Sequence, residues 1–80
     1  MREPTGGQRA AGLDLTVAAN IRAELARRRF RQAQLAQRLG RSSNWLSRRL
    51  TGQVAFTLAE VDAIAGFLGM SVSELMADAA

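Results

Sequence analysis

The 80-residue chain contains no cysteine and no histidine. The first absence excludes disulfides, and the two together remove the usual zinc ligands and the commonest nucleophile and general base. Neither a metal site nor a hydrolytic triad is expected, and with them go a cofactor and a small-molecule substrate. Proline occurs once and lysine not at all, so all eleven basic residues are arginine. Codon bias can produce that composition, but arginine also grips phosphate with a fork that lysine lacks. No apolar run approaches the roughly 20 residues needed to cross a bilayer. The N-terminal MREPTGGQRAAG has no apolar stretch like that of a signal peptide. A cytosolic protein is expected. The length allows one small domain, and 48% hydrophobic residues recurring at helical rather than alternating spacing predict an all-α fold.

The net charge of +4 hides a stronger asymmetry. Between Arg22 and Arg49 stand nine arginines, at Arg22, Arg27, Arg28, Arg29, Arg31, Arg38, Arg41, Arg48 and Arg49, against the single acid Glu24. Beyond Arg49 come Glu60, Asp62, Glu74 and Asp78 and no basic residue. A basic block of this kind attracts a polyanion and orients its approach, while the acidic end is kept away from it. A membrane surface also attracts arginine. Here, however, the arginines flank a polar strip and not a large apolar face, which argues against a membrane.

Residues 32 to 52 carry the most information. Leu35, Ala36 and Leu39 recur at helical spacing, and Gly40 follows where a helix end needs positive φ. Ser42 can cap a second helix, whose inward stripe is Leu46 and Leu50, and Gly52 ends it. Two helices crossing steeply after a short turn need a small side chain where their backbones approach, and Ala36 supplies it. On the outer face of the second helix, Ser43, Asn44, Ser47, Arg48 and Thr51 form one continuous strip. Every member can donate or accept a hydrogen bond and none is acidic, which suits a helix lying in a major groove between phosphate walls. A polar outer face is also the default of an amphipathic helix. The turn, the caps and the arginines around the strip favour the first reading.

Other elements are expected on either side. A first helix from Leu15 or Thr16 to Arg29 should bury Val17, Ile21 and Leu25, with Phe30 closing its turn and terminal arginines facing the negative end of its dipole. Thr57 with Glu60 makes a capping box for a fourth helix, Phe56 can staple onto Val61, and Leu58, Val61, Ile64, Ala65 and Leu68 form the inner stripe. Gly69 stops this helix, and Ser71 with Glu74 caps a short fifth one, with Met70 and Leu75 as its staple. Residues 1 to 12, rich in glycine and poor in apolar anchors, are expected to be a disordered arm, and residues 13 to 80 the domain. Arg2 and Arg9 could let the arm follow a nucleic acid. Trp45 beside the polar strip can pack at the core edge or donate its indole N–H to a phosphate. Phe67, Met70, Val72 and Met76 either complete a small core or form a dimer patch.

Ile21 and Arg22, Gln32, Leu35 and Ala36, Leu39 and Gly40, Leu46 and Ser47, Gly52, Ile64 and Ala65, and Leu68 and Gly69 together make a specific pattern. From about Val17 to Met76 the chain resembles the phage repressor and Cro-type helix-turn-helix family, an XRE-like DNA-binding domain. That resemblance implies a five-helix, lambda-repressor-like fold. It implies base reading by Ser43, Asn44, Ser47 and Arg48, with Arg48 suited to guanine and Asn44 to adenine. Gln32 would brace a phosphate or a neighbouring base reader, and Arg31, Arg41, Ser42, Trp45, Arg49 and Thr51 complete the phosphate-binding set. Three departures stand out. Arg31 replaces a capping serine or threonine, and Arg41 replaces an apolar or small residue. Leu25 and Leu50 occupy positions where many members carry a buried arginine–glutamate pair, an exchange that is often neutral or stabilising. Leu25 should therefore meet Leu50.

The function implied is a non-enzymatic, sequence-specific transcriptional regulator in a bacterial host's cytoplasm or nucleoid, of the kind of a small Cro-like repressor occupying a pseudo-palindromic operator. It would act as a homodimer or as a monomer that pairs on DNA, with reading helices about 34 Å apart. The alternatives are an antitoxin that also holds a toxin, an excision or partition factor, and a protein-interaction module that has kept the fold and lost DNA reading.

Overall fold

The computed structural model describes the backbone of residues 4 to 77 and the side chains of residues 15 to 77. Five helices follow one another: α1 (Pro4–Arg27), α2 (Gln32–Leu39), α3 (Ser43–Leu50), α4 (Leu58–Leu68) and α5 (Val72–Met76). No strand occurs among the described residues, in keeping with the expected all-α, five-helix architecture.

The largest difference from the sequence reading lies in α1. The helix begins at Pro4, well upstream of Leu15, so residues 4 to 12 run as helical backbone where a disordered arm was expected. Proline fits a first helical turn, where its missing N–H would have no partner in any case. Extending a helix already nucleated downstream costs far less than starting one, which lets glycine-containing sequence join it. Residues 1 to 3, with Arg2, lie outside the described residues, as does the side chain of Arg9.

One buried cluster joins all five helices. It takes Val17, Ala18, Ile21 and Leu25 from α1, Leu35 and Ala36 from α2, and Leu46 and Leu50 from α3. Phe56 from the preceding loop and Val61, Ile64, Ala65 and Leu68 from α4 complete it with Leu75 of α5. No polar or charged residue is buried among the described residues. Leu25 and Leu50 share this cluster, as the register assigned to α3 requires. Leu58 does not. It is 68% exposed, because the first turn of α4 points outward and the inner stripe starts only at Val61.

Capping signals in the sequence are realised locally. The Ser42 hydroxyl accepts from the Trp45 N–H at 3.0 Å. Thr57 and Glu60 cap each other's backbone at 3.1 and 2.9 Å, and Ser71 and Glu74 do so at 3.1 and 2.8 Å. At α2 only half of such a box can exist. Gln34 accepts from the Arg31 N–H at 2.7 Å, but a guanidinium has no lone pair with which to return the bond.

The exits of α1 to α4 share one pattern, in which the left-handed residue and its successor donate back to the last turn. Gly40 donates to the Gln37 carbonyl at 3.1 Å and Arg41 to that of Ala36 at 2.9 Å. The same pair of bonds closes α3 through Gly52 and Gln53 and α4 through Gly69 and Met70. At α1 the left-handed residue is Arg29, at φ 60, the sole non-glycine residue with positive φ among the described residues. Its N–H reaches Ala26, and Phe30 reaches Leu25 at 2.8 Å.

Polar side chains of α1 and of Arg28, the residue just past its end, satisfy the free carbonyls at the ends of three other helices. Arg22 donates to the Leu50 carbonyl at the end of α3, and Arg28 to the Leu68 carbonyl at the end of α4. The Asn20 amide donates to Leu75 in α5 and to Ala77 just beyond it, each at 2.7 Å. Helix C-termini leave such carbonyls unpaired and carry partial negative charge, so cationic and amide donors are favoured there. α1 therefore acts as a brace as well as a core element.

Candidate nucleic-acid interface

α2 and α3 pack against each other and against the rest of the bundle through Leu35, Ala36, Leu46 and Leu50, all at most 1% exposed. This fixes which side of α3 faces outward. Ser43, Asn44 and Arg48 are exposed, and Ser47 is half-buried. The four residues expected to read bases thus share one accessible side, with Ser47 nearest the core. Among the described residues no hydrogen bond or ion pair engages the side chain of Asn44 or of Arg48.

Phosphate-binding candidates fall into two groups. Arg31 and Gln32 are exposed at the start of α2, and Arg41 and Ser42 at the start of α3, so the two basic turns open onto solvent. Ser42 accepts from Trp45 with a lone pair and keeps its own proton for an outside acceptor. The other group is already occupied. The Thr51 hydroxyl donates to the Ser47 carbonyl at 2.9 Å. Arg49 is 17% exposed, its Nη1 donates to the Trp45 carbonyl at 3.3 Å, and its Nε lies 3.6 Å from Glu60. That Nε is buried with no hydrogen-bond partner, so Glu60 serves it by charge.

Trp45 is half-buried at the edge of the core. The Arg49 guanidinium carbon sits over its ring at 3.9 Å from the centroid, and that of Arg41 at 5.0 Å. Both distances are within cation–π range.

The residues considered for a dimer patch do not form an open apolar face. Phe67, Met70, Val72 and Met76 are all half-buried against the core. Phe67 also pairs with Phe30 at 5.0 Å between ring centres, and the Arg38 guanidinium lies over it at 5.4 Å.

Several arginines counted only as charge prove to have partners within the chain. Arg27 and Arg28 both pair with Glu24, Arg28 through Nε at 3.2 Å. The spacing of three and four residues from Glu24 could have revealed those pairs in the sequence. Nothing local could have revealed Arg22 at the end of α3 or Arg28 at the end of α4. Arg29, Arg31, Arg38, Arg41 and Arg48 are the exposed arginines of the basic block whose side chains make no hydrogen bond or ion pair among the described residues.

No helix among the described residues is long and apolar enough to cross a membrane. No curated protein and no solved structure matches the chain. A family model described as a helix-turn-helix domain matches residues 8 to 77, a span that covers α2 to α5 and most of α1. The glycine turn between α2 and α3, the buried leucines behind them and this match lead to one identification: the chain belongs to the helix-turn-helix domain family, of the XRE-like DNA-binding kind.

Proposed function

We propose that this protein is a sequence-specific transcriptional regulator that places α3 in the major groove of double-stranded DNA and occupies an operator, in the manner of a small Cro-like phage repressor. The observation that carries this reading is the exposure of Ser43, Asn44 and Arg48 on a helix whose opposite face holds the fully buried Leu46 and Leu50. Anchored leucines fix the rotation of α3, and fixed rotation is what base-edge recognition needs. Arg48 reads guanine through O6 and N7, and Asn44 reads adenine. Arg31, Gln32, Arg41 and Ser42 hold phosphates on either side.

The charge distribution supports the same orientation. The basic block covers α2, α3 and the end of α1, and every acidic residue beyond Arg49 lies on α4, on α5 or past it. The acidic end is then kept away from the duplex. One domain reads few base pairs, so two copies on a pseudo-palindromic operator, about 34 Å apart, make the competent complex. The half-buried state of Phe67, Met70, Val72 and Met76 favours pairing on DNA over a preformed apolar dimer.

Selection of bound fragments from random duplex DNA tests the proposal, because it reports both the site and its symmetry. With the selected operator, Arg48→Ala should relax preference at one base step at a cost of roughly 1 to 3 kcal/mol. Failure to enrich any sequence, with no binding even in dilute buffer, would leave the domain as a protein-interaction module.

A further inference from the structure

We propose that Trp45 is a positioning residue for DNA binding: its ring, backed by Arg49, holds the Arg41 guanidinium ready for a duplex phosphate. This inference rests on the DNA-binding reading above and deepens it by giving Trp45 a role other than donating its indole N–H.

The argument starts at α4. Glu60 is fixed by the capping box, where its Oε1 accepts from the Thr57 N–H at 2.9 Å. The same oxygen faces the Arg49 Nε at 3.6 Å, across from α3. Arg49 is thereby held over the Trp45 ring, 3.9 Å from its centre, and tied to the Trp45 carbonyl. Arg41 takes the remaining place at the ring, 5.0 Å from the centroid. Two guanidiniums near one indole repel each other unless one is neutralised, and Glu60 supplies the negative charge on the Arg49 side. The uncompensated cation is Arg41.

Arg41 is exposed and immediately precedes the capping residue Ser42, whose hydroxyl proton is also free. The guanidinium donors of Arg41 have no acceptor among the described residues. A solvated arginine loses rotamer freedom when it grips a phosphate, and a guanidinium already resting on an indole loses less. Tryptophan is the strongest aromatic partner for a cation. The arrangement requires both partners: removing the ring should cost affinity through Arg41 and should cost little once Arg41 is gone.

Fluorescence anisotropy with a labelled operator and a labelled random duplex tests this, using Trp45→Leu, Trp45→Phe, Arg41→Ala and the Trp45→Leu, Arg41→Ala double variant. Leucine keeps apolar packing at the core edge without a π face, and circular dichroism confirms that each variant is folded. Trp45→Leu should weaken binding to both duplexes by about threefold to tenfold and leave base preference unchanged. Trp45→Phe should recover most of that loss. In the Arg41→Ala background, the same Trp45→Leu change should cost less than about twofold, the mark of a coupled pair. Equal losses in both backgrounds, or no loss in either, overturn the positioning role and leave DNA reading intact. Absence of binding by the unsubstituted chain overturns both.

Discussion

The side-chain amide of Asn20 in α1 donates to the main-chain carbonyl of Leu75 in α5 across 2.7 Å, joining residues 55 positions apart. A second bond of 2.7 Å to Ala77 uses the same nitrogen. Each such bond stabilises a fold by about 1 kcal/mol, and leaving the carbonyls without a donor adds to the loss. Asn20→Ala should therefore lower stability by about 2 kcal/mol. Since 1 kcal/mol moves the midpoint of a domain this size by about 4 to 8 °C, thermal unfolding measures the effect directly. Sequence preference on DNA should not change, because Asn20 is remote from α3 in this network.

Arg29 offers a change in the opposite direction. A non-glycine residue in the left-handed region costs about 1 to 2 kcal/mol, and glycine gives back roughly 0.5 to 1 of that in backbone entropy. Arg29→Gly should raise stability by about 0.5 to 1 kcal/mol, seen as a higher urea midpoint at an unchanged slope. Gly40→Ala at the equivalent exit of α2 should lower it by about 1 kcal/mol.

At Gly52 two costs can be separated. Its φ is 84, and a Cβ there would clash with Leu15 Cδ2. Leu15 is 53% exposed, so the end of its side chain can swing aside. The backbone should dominate, giving Gly52→Ala a cost of about 1 to 2 kcal/mol that Leu15→Ala does not relieve. Chemical denaturation of the single and double variants checks this, and coupling above about 0.5 kcal/mol would show that the clash matters after all.

Arg28 and Arg31 carry the same formal charge but differ in what they do. Arg28 holds the end of α4 and Glu24, whereas the Arg31 side chain stands open at the start of α2. Arg31→Ala should weaken binding to all duplexes and reduce the slope of log affinity against log salt by about 0.9. Arg28→Ala should lower the unfolding midpoint and leave that slope unchanged. Salt titrations beside melting curves distinguish the two.

Much of the fold could be read locally. Ser42, Thr57 with Glu60, and Ser71 with Glu74 set helix starts through bonds spanning three residues, and Gly40, Gly52 and Gly69 set the exits through their own backbone preference. The leucines behind α3 could be read because helical spacing alone puts Leu46 and Leu50 on one side. The rest depends on distance in the chain. Arg22 reaches Leu50, Arg28 reaches Leu68 and Asn20 reaches Leu75, and no periodicity encodes a donor aimed at a carbonyl so far away. The exposure of Leu58 was hidden for a related reason. A first-turn residue can satisfy a stripe in projection while its side chain points past the edge of the bundle. In the candidate interface the polar strip was visible, but the partners of Arg49 were not, since they depend on where α4 places Glu60.

The bracing by α1 limits how the reading unit can be moved. A graft of residues 32 to 52 into a foreign scaffold would carry its own glycine turn and leucine backing, yet the end of α3 would lose the arginine that holds the Leu50 carbonyl. A transplant that keeps α3 rigid enough to discriminate bases must bring along Arg22 and the part of α1 that carries it, so the smallest portable reader reaches back into the long first helix.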